Sequence, residues 1–281
     1  MEQISATTPD FSPELEAKFQ ALERTLEELG SAVVAFSGGI DSSLVAYLAH
    51  QRLGKKALAV TSSSESLNRD DLDLTRRLAA EWGMAHRVVK TNELQNPNYR
   101  ANPINRCYFC KTTLYESLDA VAAEGGYAVV LNGTNVDDLG DHRPGLQAAR
   151  EHDVRSPLVE CGFTKGDIRA LARRLGLENA EKPQAACLSS RVPYGLAIDI
   201  PMLAQIDQAE RLLRKLGFSQ LRVRHHDDLA RIEVPPEDFA RLLGHRQEIE
   251  EGLRALGYRF VTLDLKGFRS GALNEGLKRK K

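Results

Sequence analysis

Between two apolar runs the chain reads Ser37-Gly38-Gly39-Ile40-Asp41-Ser42-Ser43. The run before this stretch, 32–36, is typical of a buried strand, and the run after it, 44–49, is typical of a helix. Two glycines let the backbone adopt positive φ and approach a ligand closely, and the hydroxyls and amides at a helix N-terminus bind anions. The stretch therefore predicts a strand–turn–helix unit whose loop binds pyrophosphate. It lacks the lysine and the spacing of a Walker A loop. The alternative is an ordinary turn that is rich in glycine and serine.

Strands and helices alternate on both sides of this loop. The predicted strands are 32–36, 57–61, 86–89, 128–131 and 154–158, and the predicted helices are 14–29, 70–82, 114–124 and 167–175. This alternation indicates an α/β fold with a parallel sheet flanked by helices. Ligands bind such sheets at the carboxyl ends of the strands, where Ser37, Ser62 and Gly133 fall.

A different pattern follows Pro193-Tyr194-Gly195. It consists of a helix, two strands, a mostly helical stretch and a last strand, at 202–216, 221–224, 230–234, 237–256 and 259–263. This order predicts a smaller α+β domain. We therefore expect a nucleotide-binding domain of residues 1–195, which includes the N-terminal helix, and a C-terminal domain of residues 196–281 for substrate binding and subunit contacts.

The composition argues against several classes of protein. The chain of 281 residues has 38 Lys and Arg against 39 Asp and Glu, a formal net charge of -1, so no general basic surface for nucleic acid is expected. No basic region precedes an apolar core at the N-terminus, and no apolar run reaches membrane-spanning length, so we expect a cytoplasmic protein with no membrane partner. Four cysteines in a reducing compartment favour metal binding or catalysis over disulfides.

Carboxylates and cations lie near the predicted ligand edge. Asp41 stands at the mouth of the loop, where a carboxylate can order the Mg²⁺ that accompanies ATP, although a helix dipole also favours an acid there. Gly133-Thr134-Asn135-Val136-Asp137-Asp138 follows the fourth strand, with Asp141 and Arg143 shortly after. We expect these side chains to face the same ligand, the alternative being that Asp and Asn serve turns. Lys165 is weaker evidence, because lysine is usually a surface residue.

Three of the four cysteines suggest a metal or sulfur centre. Cys107 and Cys110 form a C-x2-C pair, and Cys187 lies shortly before Pro193. Two thiolates at this spacing can hold one metal or one edge of a cluster, and three can hold a 4Fe-4S cluster with one iron open to an extra sulfide. The alternatives are a zinc site completed by Cys161, a redox pair, or ordinary buried thiols. Cys161 itself is interpreted as a structural thiol.

Two arginines in the C-terminal region form a candidate anion site. Arg222 and Arg224 stand two residues apart on a predicted strand, so their side chains point to one face. Paired guanidinium groups form a fork that suits phosphate or carboxylate, and the alternative is a solvated strand face. Glu210 and Glu233 are interpreted as partners in surface salt bridges rather than as metal ligands.

Several segments carry a more specific resemblance. These are the loop at Ser37, the loop at Gly133, and three C-terminal segments, 187–195, 222–224 and 262–271. Together they resemble the LarE family, ATP-dependent sulfur transferases of the PP-loop ATP pyrophosphatase superfamily that act in nickel-pincer cofactor biosynthesis. The resemblance implies cleavage of ATP to AMP and pyrophosphate. It also implies adenylation of the carboxylates of pyridinium-3,5-biscarboxylic acid mononucleotide and their conversion to thiocarboxylates.

The resemblance also bears on the source of sulfur. In one class of the family, the cysteine that matches Cys187 donates its own sulfur and becomes dehydroalanine. This chain also carries Cys107 and Cys110, which resembles the three-cysteine class, where a 4Fe-4S cluster carries a transferable sulfide. The resemblance therefore favours repeated turnover over a sacrificial cysteine.

The predicted site has four groups of residues. Cys187 and Asp41 are expected to act in catalysis, and ATP is expected to bind Ser37, Gly38, Gly39, Asp41, Ser42, Ser43, Thr61 and Gly133. The small-molecule substrate is expected to bind Arg143, Arg191, Arg222 and Arg224, and the cluster is expected to bind Cys107, Cys110 and Cys187. Mg²⁺, a sulfide source and a homo-oligomer complete the prediction. The alternatives are a tRNA thiolase, an amide-forming PP-loop ligase such as an NAD synthetase, and a non-enzymatic nucleotide- or metal-binding module.

Overall fold

The computed structural model describes residues 12–140, 144–183, 186–269 and 271–274 of the chain. These residues form two compact units. The first unit contains 12–63, 70–91, 107–140 and 144–183, and the second contains 64–69, 92–106, 186–269 and 271–274. The second unit therefore includes two short segments from within the sequence of the first. The domain boundary expected after residue 195 stays a prediction.

Seven strands and eleven α-helices cover most of the described residues. The strands are β1 Ala32–Ala35, β2 Ala57–Ser63, β3 His86–Lys90, β4 Val129–Leu131, β5 Arg222–His226, β6 Leu229–Glu233 and β7 Phe260–Leu263. The helices are α1 Pro13–Glu28, α2 Ile40–Leu53, α3 Arg69–Glu81, α4 Pro97–Arg100, α5 Arg106–Gly125, α6 Pro144–Glu151, α7 Pro157–Glu160, α8 Lys165–Arg174, α9 Ile200–Lys215, α10 Phe239–Gly244 and α11 Arg246–Ala255.

The first unit is built on a parallel sheet, which confirms the predicted α/β fold. The strand order is β3-β2-β1-β4, and Ala32 of β1 pairs with Ala57 on one side and Val129 on the other. Val33 and Val34 are both buried but belong to two different apolar clusters, so both faces of the sheet are covered. Strands β2 and β3 lie on one side of β1 and β4 lies on the other, so the direction in which strands are added reverses at β1. Ligands bind at such switch points.

One predicted strand of this unit is wrong. Residues 154–158 contribute only an isolated bridge between Leu131 and Arg155, and Pro157 begins α7 instead. Proline has no N–H to donate to a strand ladder, and its fixed φ suits the first position of a helix. The chain therefore leaves the sheet after a single paired residue.

The second unit has a small mixed sheet, as the α+β pattern predicts. Strands β5 and β6 form an antiparallel hairpin, and β7 runs parallel to β6. The hairpin turns at Asp227, whose φ is +54°, a conformation that Asp tolerates better than most residues. One face of the sheet packs against α9, α10 and α11 around Leu213, Leu242 and Leu253.

The segment 92–106 is part of this second unit. The hydroxyl groups of Tyr99 and Ser189 are 2.6 Å apart. The Asn102 amide nitrogen donates to the carbonyl oxygens of Pro193 at 2.7 Å and Leu196 at 3.1 Å. Tyr99 and Asn102 are both buried, so these hydrogen bonds tie residues about ninety positions apart in the sequence.

Within the described part of the chain, none of the helices is long and apolar enough to cross a membrane.

Candidate functional site

The predicted pyrophosphate loop is a compact turn between β1 and α2. Gly38 has a φ of +71°, which is the conformation for which glycine was expected here. The Ser42 hydroxyl accepts from the Ser37 amide at 3.2 Å and donates to the Gly39 carbonyl at 3.0 Å. Gly39 is the N-cap of α2 and has no side chain to cap it. The first-turn amides of α2 therefore face outward at the positive end of a helix, as an anion requires.

Gly133 brings a second loop against the first. A Cβ atom at position 133 would lie 2.5 Å from the Ser42 nitrogen and 2.8 Å from the Asp41 carbonyl carbon. Both are backbone atoms, so only glycine fits. The loops that follow β1 and β4 thus meet at the switch point of the sheet.

A lysine pairs with the loop carboxylate. The Lys165 ammonium lies 2.6 Å from Asp41 Oδ1, and the Lys165 amide donates to Asp137 Oδ2 at 2.7 Å. Lys165 is the first residue of α8, which is capped reciprocally by Thr164 and Asp167. The cap fixes where α8 begins, and therefore places Lys165, its first residue, within reach of Asp41. The sequence indicated this lysine only weakly, and its partner is 124 positions away.

Thr61 holds the strand ends beside this loop. Its hydroxyl donates to the Phe36 carbonyl at 2.8 Å and lies 2.8 Å from His86 Nε2. Burial, and to a lesser extent the charge of Arg76, lowers the pKa of His86, which favours a neutral imidazole at this contact. The predicted contact of Thr61 with ATP stays a prediction.

Asn179 supports the loop from behind and was missed by the sequence analysis. Its buried amide nitrogen donates to the Gly38 carbonyl at 3.1 Å and to the Ser43 hydroxyl at 2.8 Å. Lys182 lies nearby, 2.7 Å from an Asp71 carboxylate oxygen. An asparagine after a helix is an ordinary loop residue, so no local signal distinguishes it.

Three cysteines lie in the first unit. Cys107 and Cys110 lie near the start of α5, where a spacing of three places both on one helix face. Cys161 is half-buried, and its sulfur lies 3.6 Å from the Thr25 hydroxyl oxygen. Burial raises the pKa of the Cys161 thiol, which agrees with a structural thiol. All four cysteines lie in the described residues, and none forms a disulfide.

Cys187 lies in the second unit, at the start of the short 3-10 turn Leu188–Arg191. Its side chain is half-buried, and its carbonyl oxygen accepts from the Ser190 hydroxyl at 2.7 Å and from Arg191 Nη1 at 3.0 Å. The next amide, of Leu188, donates to the Ser66 carbonyl at 2.9 Å. Among the residues that the structure describes, no group of three or more His, Cys, Asp or Glu side chains is arranged to hold a metal ion.

Glu210 and Glu233 are fully buried, so their interpretation as surface salt-bridge partners is wrong. Glu210 accepts from Arg191 Nε at 2.7 Å and Nη2 at 2.9 Å, and Glu233 accepts from Arg224 Nε at 3.0 Å and Nη2 at 2.8 Å. Burial alone would raise the pKa of Glu210, but the charges of Arg191 and Arg214 outweigh it and hold that pKa below its usual range. The Glu210 carboxylate therefore remains charged at neutral pH inside the second unit.

The predicted arginine fork lies in a buried environment. Arg222 and Arg224 occupy alternate positions of β5, and Arg224 is 5% exposed, so a solvated face does not describe this strand. The Arg222 guanidinium lies 4.9 Å from the Phe268 ring centre. Burial, followed by the charge of Arg191, lowers the pKa of Arg222 to about 10, which leaves it charged at neutral pH. Substrate binding by this fork stays a prediction.

Arg143, together with Asp141, falls outside the described residues. Its predicted contact with substrate stays a prediction.

The arrangement in the first unit suits a polyphosphate ligand. Outward amides, a carboxylate and a lysine converge at one end of the parallel sheet, and they can bind phosphates, a divalent cation and a leaving group. The second unit supplies Cys187, whose side chain is half-buried and whose carbonyl oxygen accepts from Arg191.

The chain is similar to several known proteins. A model of the asparagine synthase family matches residues 19–116. An uncharacterised protein of Synechocystis sp. is 45% identical over 94% of this chain and 99% of its own length. The pyridinium-3,5-bisthiocarboxylic acid mononucleotide synthase of Lactiplantibacillus plantarum is 40% identical over 94% of this chain and 96% of that protein. An uncharacterised protein of Methanocaldococcus jannaschii is 30% identical over 85% of this chain and 90% of its own length.

Proposed function

Because the chain belongs to the family of pyridinium-3,5-bisthiocarboxylic acid mononucleotide synthases, the LarE family of ATP-dependent PP-loop sulfur transferases, we propose that it converts both carboxylates of pyridinium-3,5-biscarboxylic acid mononucleotide to thiocarboxylates. Each conversion proceeds through an acyl adenylate. The observation that carries the proposal is the Asp41–Lys165 pair at the mouth of a glycine loop, since this geometry suits cleavage of ATP between the α- and β-phosphates.

The first step is adenylation. A substrate carboxylate oxygen attacks the α-phosphorus of ATP, and the bond to the β-phosphate oxygen breaks, which releases pyrophosphate. The first-turn amides of α2 bind the leaving pyrophosphate, and Lys165 exchanges its contact with Asp41 for a phosphate oxygen. The carboxylate of Asp41 suits Mg²⁺, a cation that neutralises phosphate charge when bound.

The second step transfers sulfur. A sulfur nucleophile attacks the carbonyl carbon of the acyl adenylate, and the carbon–oxygen bond to AMP breaks, which leaves a thiocarboxylate. Cys187 takes part in this step, and Arg222 holds an anionic group of the substrate.

The donors for an iron–sulfur cluster are present as thiols. Cys107 and Cys110 share one helix face, and Cys187 is a half-buried thiol in the second unit. Three thiolates are the kind of ligand that a 4Fe-4S cluster takes, and these three cysteines would be its ligands. The cluster, when bound, supplies a transferable sulfide, which an external sulfide source replaces. No protein atom is then consumed, and a homo-oligomer of this chain is proposed as the working form.

The proposal is tested with protein purified without oxygen and supplied with ATP, Mg²⁺, the dicarboxylate mononucleotide and sulfide. We expect AMP and pyrophosphate to form only when the dicarboxylate is present. Mass spectrometry should show each carboxylate exchanging one oxygen for one sulfur over more than one turnover. Iron and acid-labile sulfide should be present, and Cys107→Ala should remove both.

Three results would contradict the proposal. The first is formation of ADP and phosphate, which excludes adenylation. The second is an amide formed from ammonia or sulfur delivered to tRNA, since these identify the ligase or thiolase alternatives. The third is dehydroalanine at position 187 after one turnover with Cys107→Ala fully active, which overturns the cluster as sulfur carrier.

A further inference from the structure

We propose that Arg191 is a positioning residue that sets the direction of the Cys187 side chain, and not a ligand of the substrate. The inference rests on the proposed function, because Cys187 takes part in the sulfur step there. The sequence alone suggests Arg191 as a substrate contact.

The donors of Arg191 already point to acceptors within the second unit. Nε and Nη2 bind the two oxygens of Glu210 at 2.7 and 2.9 Å. Nη1 binds the carbonyl oxygens of Ala186 at 2.7 Å and Cys187 at 3.0 Å, and the Ser190 hydroxyl at 2.9 Å. The residue is 3% exposed. A substrate anion would have to displace one of these bonds inside the protein, where an abandoned partner is costly.

The two carbonyl groups that Nη1 contacts lie on either side of the Cys187 α-carbon. Each belongs to a planar peptide unit, so holding both oxygens fixes the two planes that meet at this atom. Cys187 accordingly has a defined φ of -59° and ψ of 155°. With both torsions fixed, the α-to-β bond has one direction, and the sulfur retains only its side-chain rotamers.

The anchor of this arrangement is Glu210. Its carboxylate also accepts from the Val223 amide of β5 at 3.1 Å and from Arg214 at 2.9 Å. Glu210 lies on α9, in the core of the second unit, and it binds Arg191. Arg191 in turn binds the backbone of the cysteine turn, which is residues 186–191. The turn itself has one short 3-10 helix. Its conformation therefore depends on the hydrogen bonds from Arg191, which Glu210 holds in place.

The test separates positioning from substrate binding. Arg191→Lys keeps the charge but cannot bridge Glu210 and both carbonyls. We expect the KM for the dicarboxylate and substrate-dependent pyrophosphate release to stay near wild type. We expect kcat for thiocarboxylate formation to fall roughly ten- to hundredfold, as a displacement of about 1 Å at a reacting atom produces. Iodoacetamide should label Cys187 faster, as read by peptide mass mapping, because the turn loosens.

Arg214→Ala is the matched control. It removes a donor from the same Glu210 carboxylate without touching the cysteine turn, so its kcat and labelling rate should stay near wild type. If Arg191→Lys does not fold, Ser190→Ala decides the question, since Ser190 also donates to the Cys187 carbonyl. It should lower kcat and raise labelling in the same direction.

A raised KM with unchanged kcat in Arg191→Lys would overturn the inference and make Arg191 a substrate ligand. Wild-type kcat and labelling in the folded variants would overturn it as well. Failure of the proposed function looks different, because wild-type protein would then release no pyrophosphate on addition of the dicarboxylate.

Discussion

Two loops of this protein are held in place by different chemistry. The backbone of the nucleotide loop, 37–43, is held mainly by neutral groups: its own serine hydroxyls, the Asn179 amide, and the close approach of Gly133. The ion pair of Asp41 with Lys165 lies at the mouth of this loop. The cysteine turn, 186–191, is held by a buried guanidinium whose charge is balanced by Glu210. The first loop begins a long helix, whereas the second contains only one short 3-10 turn.

The difference reflects what each loop has to do. A loop that binds a polyphosphate needs outward amides and little fixed charge of its own, because the ligand and its cation bring the charge. A turn that has to orient one side chain, and that no long helix or strand stabilises, needs strong directional hydrogen bonds. Charge-assisted hydrogen bonds inside a protein are of this kind. The nucleotide loop should therefore be sensitive to added volume, and the cysteine turn to lost charge.

The largest effect should follow Gly133→Ala. The new Cβ would meet the Ser42 nitrogen at 2.5 Å, so one of the two loops has to move. We expect ATP-dependent pyrophosphate formation to fall by about a hundredfold or more, since misplacement of the phosphate-binding groups by about 1 Å is enough for that. Labelling of Cys187 by iodoacetamide should not change.

Gly140→Ala is the control for this variant. Among the described residues, no heavy atom lies within 4 Å of the Cβ that it would add, and its activity should stay close to wild type. Normal ATP use by Gly133→Ala would show that the two loops are not packed as described.

The next effect, on stability rather than on activity, is expected from Glu210→Gln. Removing the charge leaves Arg191 buried without its counter-ion, which costs about 3–5 kcal/mol of unfolding free energy. The pKa of Glu210 lies below its ordinary value of 4.5, so its contribution is fully present above pH 4.5 and is lost as the pH falls through the lowered pKa. Denaturant unfolding at several pH values should show the gap between wild type and variant closing in acid.

The matched control is Glu250→Gln. Glu250 and Arg254 form an exposed ion pair four residues apart on α11, the same spacing as Glu210 and Arg214 on α9. Loss of this pair should cost about 0.3–0.5 kcal/mol. Equal losses from the two variants would contradict a special role for buried charge in the second unit.

The smallest effect is expected for Cys161→Ala. Cys161 packs against the apolar core of the first unit, and its sulfur makes a weak contact with the Thr25 hydroxyl. Thermal unfolding should show a change of stability of about 1 kcal/mol or less, and both pyrophosphate release and sulfur transfer should continue. Loss of the iron content in this variant would instead make Cys161 a cluster ligand.

The nucleotide loop could be predicted from the sequence because its determinants are local. Ser37 to Ser43 contain the turn, the glycines and the helix start, and β1 and α2 form where the apolar runs predict them. The predicted strand at 154–158 failed at Pro157, where the missing N–H outweighs the apolar composition.

The support of the cysteine turn could not be predicted in the same way. Glu210 and Arg214 are four residues apart on a helix, which is the usual pattern of a surface pair. The packing of α9 against β5 buries Glu210 and brings Arg191, nineteen positions earlier, to the same carboxylate. Long-range contacts of this kind, including that of Lys165 with Asp41, cannot be predicted from the spacing of neighbouring residues in the sequence.

The order of segments in the second unit has a consequence for how the protein can be made. Segments 64–69 and 92–106 leave the ribosome early, but Tyr99 and Asn102 find their partners only at Ser189 and Pro193. Closing such long loops carries an entropic cost and slows folding. A fragment that stops near residue 184 would expose a buried tyrosine and asparagine, and one that starts there would lack the residues that cover the cysteine turn. Neither unit can be cut from this gene as one continuous piece.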